Sequence, residues 1–295
     1  MHRFILAFCL LASPCLAQVD ANDPTLLPDD TIAAEATDAA TGDAAAKAVA
    51  QVLATPAAQK TAIDLAMTRL KVPEALRAVM AEHLAAMLAE PTMAAEFTQA
   101  MAETFTSMGM TPSNPDVIAR MAGEQLAGWG DDLASLGMQR LSADEKRRVL
   151  ALRLQIVANS SADDCAGFLT GTRSAGQNRA MFIATMASWP ADQTRAAFAL
   201  SRRAILAELR GRPVQVPLTK DEFAHVTDVA GTAIAGAFTD NPRADVLLAA
   251  FGYPEQAEAA DICAAHRTML QALQNVTGRD GVLIARYLIE NGLNG

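Results

Sequence analysis

The apolar positions of this chain recur at three- and four-residue intervals almost from end to end. Ile63, Met67 and Leu70 form one such stripe, and Leu76, Met80, Leu84 and Met87 form the next. Phe97, Met101 and Phe105 follow at a strict four-residue spacing, then Ile118, Met121 and Leu126. This is the period of amphipathic helices. Helix-start signals punctuate it. Thr55-Pro56 and Asn114-Pro115 each place a capping side chain before a proline at the first helical position. Ser142 to Glu145 and Thr219 to Glu222 read as capping boxes, with Leu218 and Phe223 placed as a hydrophobic staple around the second.

Further helices are predicted at about 177–188 and 192–210, the latter closed by Gly211, and from Pro242, Pro254 and Gly281 onward. The helix after Ser142 carries apolar residues on two sides, Val149, Leu152 and Ile156 against Leu150, Leu154 and Val157, which predicts a central position. The segment Arg212 to Leu218, with Val214 and Val216 between prolines, is the one stretch with strand-like alternation. It is short and isolated, so no sheet is expected. The pattern predicts an all-α fold, a multi-helix bundle or helical array.

The ends of the chain read differently. After Met1-His2-Arg3, residues 4–17 (FILAFCLLASPCLA) are nearly all apolar. Such a run suits the core of a signal peptide and falls short of the roughly 20 residues that span a bilayer. Small residues before the junction place the expected cleavage between Ala17 and Gln18. The rival reading is lipidation at Cys15, which Pro14 disfavours by occupying a position that calls for a small residue. Residues 18–43 hold seven acidic residues, no basic ones and two prolines. That segment is expected to be a disordered acidic leader, because it offers too little apolar surface to offset its ordering entropy. Helical regions are then expected at 44–110 and 115–293, divided by the GMTPSNP break at 109–115.

Composition narrows the function. The net charge is −9, and it falls by one when Arg3 leaves with the leader. Without a basic patch, nucleic acid is not an expected partner. No transmembrane segment is expected in the mature chain. Alanine makes up roughly a fifth of the residues, well above usual usage, and Arg outnumbers Lys. That bias suits a GC-rich bacterial genome, so the exported protein is expected in the periplasm or outside the cell.

After cleavage two cysteines remain, Cys165 and Cys263, and in an oxidising compartment they are expected to pair. A loop of that length gives at most about 4.7 kcal/mol by the loop-closure argument. No Cys-x-x-Cys redox pair is present.

The mature chain has three histidines, His83, His225 and His266. Met80, His83 and Met87 share a helical face and offer soft ligands of the kind that suit copper, with Met101, Met108 and Met110 as additional donors. Core packing is the plainer explanation for Met residues on a stripe, so no metal or cofactor is assigned. His225 has Glu222 and Asp228 three residues away on either side, and His266 follows Cys263 by three. Either could form a catalytic couple. The motifs of zinc hydrolases, nucleophile elbows and phosphate-cradling loops are absent from the sequence. Asp131-Asp132 and Asp163-Asp164 fit solvated helix starts rather than calcium loops.

No catalytic residue is assigned. The leading expectation is a non-enzymatic exported protein that binds another envelope protein. The alternatives are a binder of apolar small molecules and a hydrolase built on a histidine and a distant carboxylate.

Overall fold

In the computed structural model residues 31–291 are described, Asp240 apart, with side chains from residue 42 onward. The expected signal peptide, the Ala17–Gln18 junction and Cys15 lie outside the described residues. The chain is all-α. Its first helices are α1 (Thr31–Leu53), α2 (Pro56–Arg69), α3 (Glu74–Ala89), α4 (Pro91–Ser107), α5 (Pro115–Leu126), α6 (Asp131–Met138) and α7 (Ala143–Asn159). They are followed by α8 (Ala162–Leu169), α9 (Ala175–Met186), α10 (Ala191–Leu209), α11 (Lys220–Thr239), α12 (Ala244–Gly252), α13 (Ala259–Asn275) and α14 (Gly278–Asn291). Among the described residues there is no strand, and no helix is long and apolar enough to cross a membrane.

Local signals act where the sequence places them. Thr55 caps α2 by accepting from the Ala58 backbone N–H, and Asn114 caps α5 by accepting from Asp116 and Val117. Ser142 and Glu145 close a reciprocal capping box at α7. Thr219 and Glu222 do the same, with Glu222 Oε2 accepting from the Thr219 N–H at 3.0 Å. These bonds satisfy amide groups that a helix start leaves without partners. Phe223 and Leu218, the pair placed as a hydrophobic staple, both have further packing partners. The Phe223 ring meets Tyr287 edge-on at 5.4 Å, while Leu218 packs on the core.

Two starts shift. Asn241 forms a turn by accepting from the Arg243 N–H, and α12 begins at Ala244. Pro254 opens only a short 3₁₀ turn to Gln256, and α13 begins at Ala259. The first turns of α1 lie inside the 18–43 segment expected to be disordered. Alanine, the strongest helix former, dominates residues 33–40.

The chain divides into two compact units. Among the described residues the first unites 31–134 with 190–210, and the second unites 135–189 with 211–291. This division differs from the one expected at 109–115. That break connects α4 to α5 inside the first unit, where α5 packs along α2. The return of α10 to this unit is long-range packing that leaves no local mark.

The core of the first unit is built on Val49, Leu76, Met93, Phe97, Met101, Phe105, Ile118 and Ile205. Its α2–α5 crossing depends on small residues. A Cβ at Gly123 would lie 2.6 Å from Leu65 Cβ and 2.8 Å from the Ala62 carbonyl oxygen.

In the second unit α13 is the hub, packing on α7, α8, α11, α12 and α14. The helix α7 is less central than its two stripes predict, since Leu152, Leu154 and Ile156 stay partly exposed. Cys165 on α8 and Cys263 on α13 are both buried and stand at disulfide distance, with their Cα atoms 5.7 Å apart.

Candidate functional sites

Two places bring chemically capable side chains together, one in each unit.

The first is a cleft between α3 and α10. Proline-started and alanine-rich, α10 presents Arg195, Phe198 and Arg202 toward α3, which answers with Val79, Glu82 and His83. These residues, with Ala196 and Ala199, line a partly open cavity of about 370 Å³. The His83 ring stacks on Phe198, with centroids 4.3 Å apart and planes 11° from parallel. Arg202 Nη1 lies 2.9 Å from His83 Nδ1. A guanidinium only donates, so Nδ1 accepts and the ring carries its proton on Nε2. Burial, reinforced by the Arg202 charge, pushes the His83 pKa down to about 3. At the rim Arg195 grips both Glu82 oxygens, Nε at 2.7 Å and Nη2 at 3.1 Å. Those bonds hold the Glu82 carboxyl below its ordinary range.

The second is a surface formed by residues 212–219 and the starts of α11 and α14. Val214 and Val216 are 76% and 72% exposed, and Phe223 is 45% exposed, although each is apolar enough to favour burial. The segment is anchored through its carbonyls. Arg140 Nη1 donates to Pro213 O at 3.3 Å, and Arg286 Nη2 donates to Val216 O at 2.7 Å. Arg286 also approaches Glu222 at 3.9 Å and Glu290 at 3.6 Å. Glu290 in turn lies 3.7 Å from the buried ammonium of Lys146, whose pKa burial lowers. Beside Phe223, His225 Nε2 meets Asp280 Oδ1 at 2.8 Å.

The candidate soft-metal ligands lie in different surroundings. Met80, Met87 and Met101 are core residues, and Met108 and Met110 are exposed. His83 faces a guanidinium, which repels a cation.

His225 is not oriented by its helix neighbours Glu222 and Asp228 but by Asp280, 55 positions along the chain. The pair is exposed at the surface, 52% and 40%. His266 does not face a free thiol. Its Nδ1 donates to the Ile262 carbonyl at 2.9 Å, its ring lies 5.2 Å from Phe251, and burial lowers its pKa. Cys263 turns instead to Cys165. The paired aspartates start α6 and α8, and Asp164 forms an ion pair with Arg173.

Arg202, Phe198 and Asp280 carry no local signal in the sequence. The first two lie four residues apart on one amphipathic helix, and only the neighbouring helix gives them a role. Comparison with protein-family models, with curated proteins and with solved structures finds no match for this chain.

Proposed function

We propose that this chain is an exported, non-enzymatic helical protein that binds another envelope protein through the Val214–Val216 segment and Phe223. The observation that carries the reading is the anchoring of exposed apolar side chains on an ordered base. Arg286 holds the Val216 carbonyl, and the adjacent Tyr287 holds the Phe223 ring. Preorganised apolar groups ringed by charge suit a protein contact, since little ordering entropy remains to be lost on docking. Export is supported by the apolar run at 4–17 and by two buried cysteines at disulfide distance.

A photoreactive residue placed at Gln215 tests the surface. Irradiation of the host's envelope fraction is expected to give one discrete adduct that Val214→Asp with Val216→Asp removes. Absence of an adduct, or one indifferent to both substitutions, rejects the surface. The intact mass of the protein from the periplasmic fraction tests export. A chain starting at Gln18 and two hydrogens light is expected, and an intact Met1 or free thiols reject it.

A second reading, a hydrolase, is favoured by the His225–Asp280 pair, because a carboxylate that orients an imidazole is half of a general-base couple. The apolar-ligand reading finds less support, since the cavities at α3–α10, at α1–Met110 and at α7–α13 are all open to solvent.

A further inference from the structure

Helices α3 and α10 face each other through a ladder of three arginines. Arg195, Arg202 and Arg210 recur at intervals of seven and eight residues, which places them along one side of α10. Each meets a polar group on α3 or at its end. Arg195 meets Glu82 through two bonds at 2.7 and 3.1 Å. Arg210 Nη2 meets Glu90 Oε1 at 3.0 Å. Between them, among the described residues, Arg202 meets only His83, through a neutral ring nitrogen at 2.9 Å. The outer rungs are therefore neutral ion pairs, while the middle rung keeps a whole positive charge. The cavity of about 370 Å³ opens at this middle rung, with Val79, Ala196, Phe198 and Ala199 as apolar wall.

We propose that this cleft binds a small organic monocarboxylate, whose carboxylate joins Arg202 as Glu82 and Glu90 join the flanking arginines, and whose apolar body lies against Val79 and Phe198. Guanidinium and carboxylate match in planar geometry, and a charge-assisted bond is roughly twice as strong as one to a neutral acceptor. A carboxylate therefore outcompetes His83 Nδ1 for the same guanidinium. A volume of about 370 Å³ is at the small end of ligand pockets. Inorganic phosphate has no apolar body to lie against Val79 and Phe198, so it is expected to bind more weakly.

Isothermal titration of the full chain with hexanoate and with benzoate tests the site, with hexanol and inorganic phosphate as controls. At least one carboxylate is expected to bind saturably at one site per chain, with hexanol much weaker. Arg202→Gln is expected to weaken binding by about tenfold or more. His83→Glu supplies the middle rung with an internal carboxylate. It is expected to abolish binding while leaving the thermal midpoint equal or higher, which separates loss of the site from loss of the fold. No saturable binding of either carboxylate overturns the proposal. So do equal binding to Arg202→Gln, equal affinity for hexanol, tighter binding of phosphate, and undiminished binding to a folded His83→Glu protein.

Discussion

Arg202 donates to Nδ1 of His83 at 2.9 Å, and the same ring is stacked on Phe198. The contact fixes the imidazole as a neutral acceptor, because protonation would set two cations against each other in a partly desolvated cleft. This makes the fold sensitive to acid. The folded protein holds the His83 pKa at about 3 against 6.5 for an unburied ring. Between those values the unfolded chain binds the additional proton, so stability from this group is complete above about 6.5 and drains away as pH falls toward about 3. The loss amounts to at most about 5 kcal/mol over the whole window. His266 titrates in the same direction. Urea unfolding across the window is therefore compared between the native chain and His83→Gln, which is expected to flatten the pH dependence. Equal slopes for the two proteins would exclude His83 as the sensor.

Gly123 is expected to tolerate no side chain. Its absent Cβ is what lets α5 approach the Ala62 carbonyl of α2. Gly123→Ala forces the two helices apart and should cost about 1–3 kcal/mol, as overpacking usually does. Alanine at exposed Gly176, where nothing lies within 4 Å, is the control. If both substitutions shift the urea midpoint alike, close packing is not the cause.

The Cys165–Cys263 pair joins α8 to α13 across 98 residues of chain. Replacing both cysteines with alanine should cost about 2–4 kcal/mol, largely by freeing the unfolded chain. A reductant should lower the thermal midpoint of the native protein and leave the double variant unchanged. A native midpoint insensitive to reductant under denaturing conditions would show that the thiols are not linked.

Ser142 carries the capping box of α7. Ser142→Ala should destabilise by about 1 kcal/mol, and Ser142→Thr should restore most of it, because its hydroxyl can both accept from the Glu145 amide and donate to the Glu145 carboxylate. A matching loss in both would show that the capping hydroxyl is not what stabilises this helix start.

The sequence by itself determined the elements whose physics is local. The three- and four-residue stripes made the chain helical, Thr55, Asn114, Ser142 and Thr219 marked helix starts, and the two cysteines left beyond the expected cleavage site pointed to each other. Those signals act within a turn or two of chain, so one sequence suffices to read them. What joins distant segments was legible only in the tertiary structure. Nothing near Arg202 announces that His83, 119 positions earlier, will take its hydrogen bond. Asp280 is separated from His225 by 55 positions, and it displaced the nearer Glu222 and Asp228 as the ring's partner. Gly123 looked like any helix glycine until α2 was laid against it. The return of α10 to the first unit likewise follows from which apolar faces fit each other, and an amphipathic stripe states that a face will be buried without stating against what.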